Sequence, residues 1–384
     1  MIKKNADGKL SSKKADKRIL SFDLIRGYFI FMILIDHLRR FFGVYEVFTG
    51  RGAQWASAAE GFFFVSGIML GMVRGRKMIN YKFSLVVKKC WARAFKLYVW
   101  AVGLSFTFTA LTKIFINNPG LKDIPKIYPD NLSLIKDTLL LKFNYGWADF
   151  LSFYAIFLLI TPLAIWMLRK KLWHILLGLS LVVWILGTGM KSDLIVVQSW
   201  QILFFGGMII GYYRNEIEDW ASQLKPNIKL NASKIIYSLS AITLAASVYF
   251  TTIAKEYSKS SQFLTSLLNL NWANYFWHQN LERLFQKSTL PPLRLIVFLL
   301  WFSALFLLVN KFEQKIIKWL GWLLIEFGQS SLYVYIVHAV LLFGLDLIIP
   351  DGQFWLVNFL INTSFVLVIW LMAKKKFLFK VIPR

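Results

Sequence analysis

The chain has 384 residues, 57% of them hydrophobic, and a mean hydropathy of +0.54. That much apolar surface excludes an ordinary soluble domain, and 16 Trp, 15 Tyr and 35 Phe suit a membrane protein with aromatic belts at its interfaces. A formal net charge of +25 would suit a nucleic-acid binder, but the basic residues cluster between apolar spans, so no nucleic-acid partner is expected.

The first twenty residues, MIKKNADGKLSSKKADKRIL, are polar and basic. They resemble the front of a signal peptide, yet Asp23 and Arg26 follow and no small-residue cleavage site is present. The expectation is a disordered cytoplasmic basic tail over 1–20 and a retained first span. Apolar stretches then recur at about 22–42, 59–74, 93–115, 149–168, 173–190, 198–213, 234–253, 293–311, 323–349 and 354–373. They predict an all-α polytopic membrane protein with about ten transmembrane helices. Spans two and six are rich in glycine, which lets helix backbones approach closely. With the N-terminus in the cytoplasm, the inner segments hold most of the Lys and Arg, so both termini are expected inside. The transmembrane domain is expected over 21–373, followed by a second cytoplasmic basic tail at 374–384. Two long outer segments, 116–148 and 254–292, interrupt the pattern, and the second holds an aromatic, amphipathic piece around Trp272–Phe285.

One cysteine, Cys90, excludes a disulfide within the chain and any cysteine-based metal site. It reads as an inert thiol at a helix start, and no metal is expected.

The first span, SFDLIRGYFIFMILIDHLRRFF, carries Asp23, Arg26, Asp36 and His37 among apolar residues. Ionisable groups at membrane depth are costly and mark bundle interiors or wet cavities. Arg26 and His37 lie roughly three turns and about 16 Å apart, within about 20° of one helix face. Asp23 falls close to that face, and Asp36 about 100° away. One stripe therefore carries a carboxylate and a guanidinium near one membrane surface and an imidazole near the other. An imidazole is the usual general base near neutral pH.

Further candidates follow along the chain. Glu60 is expected level with His37, to orient it or to hold an acceptor hydroxyl, and Ser66 lies near mid-membrane. Ser66 sits in no nucleophile elbow and suits a bond between helices. The run RGRKMINYKFSLVVKKCWARAFK either anchors the chain on anionic lipid or forms a phosphate-recognising mouth with Arg93 and Lys96 one turn apart. Asp149, Tyr154, Trp200, Gln201 and Arg294 stand near the outer starts of their spans, and His338 in the outer half of span nine. They are candidates for an acceptor-side polar pocket. His174 and His278 are set aside as a helix-start and a loop histidine.

FDLIRGYFIFMILIDH resembles the first helix of the integral-membrane acyltransferase-3 superfamily, with its Arg, ten residues, then His. AEGFFFVSG resembles that superfamily's second helix, and SLYVYIVH its late SL-x-x-Y-x-x-H helix. Arg93-Ala-Phe-Lys96 resembles its R-x-x-R element, with Lys in the last place, which keeps the charge and loses the bidentate fork. DFLSFYAIFLLITPL, SWQILFFGGMIIG and LPPLRLIVFLL are similar to segments of the OpgC branch, whose members succinylate osmoregulated periplasmic glucans.

This resemblance implies a multi-pass protein of the bacterial inner membrane that moves an acyl group to a periplasmic glucan or other cell-envelope glycan. The donor is a cytoplasmic acyl-CoA, succinyl-CoA or acetyl-CoA, a co-substrate rather than a permanently bound cofactor. It implies a catalytic group of His37, Asp36 and Glu60 and donor contacts from Arg26, Asp23, Arg93, Lys96 and Ser66. Gln201, Tyr154 and Ser66 are candidates for the oxyanion donor. Two other readings stay open: an O-acetyltransferase of another surface polysaccharide, and a proton-coupled transporter or exporter built on the same buried charges.

Overall fold

The computed structural model describes residues 8–38, 44–45, 49, 54–121, 130–189, 195–254, 266, 268–349, 352 and 354–383. Among these, no strand occurs and the chain is an all-α polytopic membrane protein. In lipid every backbone N–H and C=O must be satisfied by protein, and a helix does this within its own segment.

Helix α1 spans Gly8–His37 and α2 Ala58–Leu70, which continues as a π-helical turn over Gly71–Arg76. Then come α3 (Phe83–Ile114), α4 (Asn131–Leu139), α5 (Asp149–Arg169), α6 (Trp173–Gly189) and α7 (Ile195–Tyr212). Helices α8 (Arg214–Gln223), α9 (Pro226–Val248) and α10 (Leu270–Phe276) lead to α11 (Pro292–Gln329), α12 (Ser331–Ile348) and α13 (Trp355–Lys374). Among the described residues, eight helices are long and apolar enough to cross a membrane, and α6 is a shorter apolar helix. The first apolar span carries Asp23, Arg26 and Asp36 within α1.

Three expectations are corrected. The basic stretch expected to be disordered is helical from Gly8 onward, in keeping with its Lys, Ala and Leu, which are good helix formers. The ninth apolar run is not one helix. Helix α11 continues to Gln329 past a kink at Phe312, the chain breaks at Ser330, and α12 starts afresh at Ser331. The short polar stretch at the break, from Gly328 to Ser331, is averaged away by the long apolar runs on either side of it. The amphipathic piece near Trp272 is three short pieces: α10, a π-turn over Trp277–Leu281 and a 3-10 turn over Glu282–Phe285. Of the two long outer segments, 122–129, 255–265 and 267 lie outside the described residues.

Close backbone contact fixes the centre of the bundle. A Cβ on Gly27 would sit 1.9 Å from the Leu324 carbonyl oxygen, and one on Gly328 would sit 1.9 Å from that of Asp23. These two glycines press α1 against the end of α11, beside the break at Ser330. The glycines of spans two and six do the same for α2 and α7, where a Cβ on Gly67 would meet the Phe204 carbonyl oxygen at 2.0 Å.

Candidate active site

Helix α1 carries two polar clusters, one beside the break between α11 and α12 and the other against α12 itself. At the first, Arg26 Nε donates to the Gly328 carbonyl at 2.5 Å and Nη2 reaches Asp23 Oδ1 at 3.3 Å. The break leaves carbonyls at the end of α11 without the next turn of helix to satisfy them, and Arg26 takes up one. Tyr154 and Arg93 lie within electrostatic reach of Arg26. The Arg93 guanidinium stands over the Tyr154 ring at 5.9 Å, and its Nε is buried without a hydrogen-bond partner among the described residues. Of the residues expected on the donor side, Asp23, Arg26 and Arg93 are therefore together. Lys96 is exposed, and Ser66 is buried within α2.

At the second cluster, about three turns along α1, His37 Nδ1 lies 2.8 Å from His338 Nε2. His338 is fully buried, and its Nδ1 donates to the Tyr335 carbonyl one turn earlier in α12. A carbonyl only accepts, so Nδ1 of His338 carries the proton. A second proton on this ring would place an imidazolium in a fully buried position, which is costly. Nε2 of His338 is therefore the acceptor, and Nδ1–H of His37 the donor. When His37 is neutral, its lone pair is then on Nε2, the configuration of a general base.

His37 lines a cavity of about 360 Å³. Asp36, Asp149, Trp200, Phe150 and Tyr335 share its wall, with Ser57, Lys287 and Ser288. Asp36, although turned about 100° from His37 on the helix, thus faces the same space. Asp149 heads α5, where its carboxylate accepts from the Phe150 N–H at 2.6 Å, and Lys287 lies within its electrostatic reach. Tyr335 is held by its hydroxyl, which donates to the Trp147 carbonyl at 2.7 Å. The segment that presents Lys287 is pinned from three sides. Trp200 Nε1 donates to the Lys287 carbonyl and Trp184 Nε1 to that of Leu290, each at 3.0 Å, and Arg294 Nη1 donates to that of Phe285 at 2.7 Å.

The remaining candidates support the cavity from outside. Glu60 is fully buried and pairs with Arg294 at 2.6 Å, and its other oxygen accepts from the Ser57 N–H at 2.9 Å and from the Ser57 hydroxyl. Its carboxylate thus holds Arg294 and Ser57 and lies off the cavity wall that His37 shares. Gln201 bridges α7 to α6 by donating to the Ser180 carbonyl at 2.7 Å and accepting from the Ser180 hydroxyl at 2.6 Å. Tyr154 belongs to the Arg26 cluster. Lys287, Ser288 and Ser57 went unrecognised in the sequence, because a loop lysine and two serines carry no periodic signal. His278 pairs with Glu282 at 2.8 Å on the exposed surface.

In this all-α membrane bundle His37, backed by the buried His338, lines a cavity, and Arg26 lies about three turns away on the same helix with Arg93 of α3 near it. The chain matches the family model described as OpgC protein over residues 18–381, and it belongs to that family. No curated protein and no solved structure matches it.

Proposed function

We propose that the chain is a membrane O-acyltransferase of the bacterial inner membrane that moves an acyl group, succinyl in the first instance, from cytoplasmic acyl-CoA to a hydroxyl of a periplasmic glucan or other envelope glycan. The observation that carries this reading is the His37–His338 pair beside a cavity that also holds Asp149 and Trp200. An indole can stack on the C–H face of a sugar, and a carboxylate accepts from its hydroxyls.

In the proposed reaction His37 Nε2 removes the acceptor hydroxyl proton as the oxygen attacks the thioester carbonyl. The tetrahedral oxyanion collapses, the carbon–sulfur bond breaks, and His37 returns the proton to the CoA sulfur. Lys287 brings a lysine ammonium to the cavity wall, the kind of group that a developing oxyanion calls for. The Arg26–Arg93 cluster lies on the donor's path to His37 and suits its anionic or carbonyl groups.

Two expected results test the two ends. Arg26→Ala should raise the KM for acyl-CoA about tenfold, an effect of lost binding, with less change in thermal stability; unchanged donor kinetics would remove Arg26 from the mechanism. His338 acts through His37, so His338→Leu should lower kcat by about 10- to 100-fold, as loss of a group that orients a base does. His338→Gln, whose amide oxygen can accept from His37 Nδ1–H, should recover most of that loss. Equal loss in both variants would make His338 a packing residue.

A further inference from the structure

A second cavity, of about 550 Å³, lies between α1, α9 and α11. We infer that it holds the hydrocarbon chain of a lipid-carried glycan acceptor, whose sugar enters the His37 cavity; this rests on the acyltransferase reading above.

Three observations point to such an amphiphile. Most of the lining is apolar, from Phe29 and Met32 on α1, Leu244 on α9 and Phe302 and Leu305 on α11. Of its polar groups, Gln54 and Ser57 lie near the start of α2, where a polar head would leave the groove, while the Ser240 hydroxyl on α9 is taken up by the Leu300 carbonyl and Thr49 and Tyr237 complete the set. Ser57 also lines the His37 cavity, so the two spaces adjoin at one residue. A chain lying in the second cavity would therefore bring its polar end to the first.

The groove also opens to lipid. Only 11% of the most apolar window of Pro226–Ile253 is buried in protein, so α9 stands largely in the bilayer. Two side-chain bonds steady it against α11: Trp301 Nε1 donates to the Thr243 hydroxyl at 2.8 Å, and the Ser240 hydroxyl to the Leu300 carbonyl at 3.3 Å. From Tyr237 to Val248 the groove follows eleven residues of α9, about 16 Å. That length suits a single extended chain rather than a bulky hydrophobe. A structural lipid would fill an apolar groove anywhere on the bundle, whereas a groove that meets the reaction cavity suits a substrate.

The test uses the full chain in lipid nanodiscs, with acyl-CoA as donor and methyl and dodecyl glucoside as acceptors. Dodecyl glucoside should be the better acceptor. Partition into the bilayer alone would also favour it, so the decisive variant is Ala241→Trp, which fills the groove from an exposed position. It should lower kcat/KM for dodecyl glucoside about tenfold and leave methyl glucoside within about twofold. Ala245→Trp, exposed on the same helix but outside the groove, should change neither. A chain-length preference that survives Ala241→Trp, or no preference at all, would overturn the inference. A second readout does not need turnover: a diazirine-bearing dodecyl glucoside should label groove peptides of α9 and α11, and Ala241→Trp should abolish that labelling. Labelling spread evenly over the lipid-facing helices would overturn the inference too. Failure of every acceptor with every acyl-CoA, while the groove is still labelled, would instead count against the acyltransferase reading.

Discussion

His37→Gln is expected to lower acyl transfer by about 10²- to 10⁴-fold, the range that a positioned general base contributes. Glutamine is the informative replacement. Its side-chain amide can still donate to His338 Nε2, which lies 2.8 Å from His37 Nδ1 in the wild type, but it supplies no base. His37→Ala removes the donor as well and leaves His338, fully buried, with an unpaired nitrogen; that costs about 1–3 kcal/mol of stability. The two variants should therefore share the loss of activity and differ in thermal unfolding. Transfer of label from succinyl-CoA or acetyl-CoA to a glycan extract is the measurement. Activity in His37→Gln within about tenfold of wild type would exclude His37 as the base, since that is less than general-base loss entails. The same assay separates the rival classes. A transporter would move its substrate across vesicles with no acyl-CoA present, and an acetyltransferase would use acetyl-CoA and leave succinyl-CoA intact.

The polar stripe of the first span was legible because a helix has a fixed period, and apolar surroundings make each charge conspicuous. Asp23, Arg26 and His37 needed no tertiary information to be placed on one face. The partners of these groups were another matter. His338 lies 301 residues from His37, and the Gly328 carbonyl 302 residues from Arg26. Neither pairing leaves a local trace. Length and hydropathy find the apolar helices but pass over the break at Ser330, because its short polar stretch lies between Leu323, Leu324 and Ile325 on one side and Leu332, Val334 and Ile336 on the other, and a long window averages it away. In the proposed mechanism that break matters most, since α12 starts afresh after it with His338 beside His37, and it leaves the Gly328 carbonyl to Arg26. Lys287 was hidden for a different reason. Its place on the cavity wall depends on two tryptophans and an arginine that clamp the backbone around it, and no spacing rule anticipates indoles bonded to a loop. Arg294 and Glu60 were each conspicuous alone, and read singly each looked like a ligand for substrate.

Their pairing gives the largest expected effect on stability. Arg294 is 2% exposed and Glu60 0%, and Arg294 Nε lies 2.6 Å from Glu60 Oε1. Arg294 also donates to the carbonyls of Phe285 and Gln54, while Glu60 accepts from Ser57. One ion pair thus joins the start of α2, the start of α11 and the segment that carries Lys287. Breaking it from one side leaves an uncompensated buried charge, so Glu60→Gln and Arg294→Met should each destabilise by about 3–5 kcal/mol. The double variant Glu60→Gln/Arg294→Met removes both charges and should be more stable than Arg294→Met alone, because the second substitution relieves the charge the first exposed. Thermal unfolding of the four proteins in the same nanodiscs closes the cycle. Strictly additive losses would mean that the two side chains do not act as a unit. The same variants carry a kinetic signature. Ser57 and Lys287 form part of the cavity wall, so loosening the pair should lower kcat even below the unfolding temperature, whereas a pair that only held the helices together would leave the surviving folded enzyme at full rate.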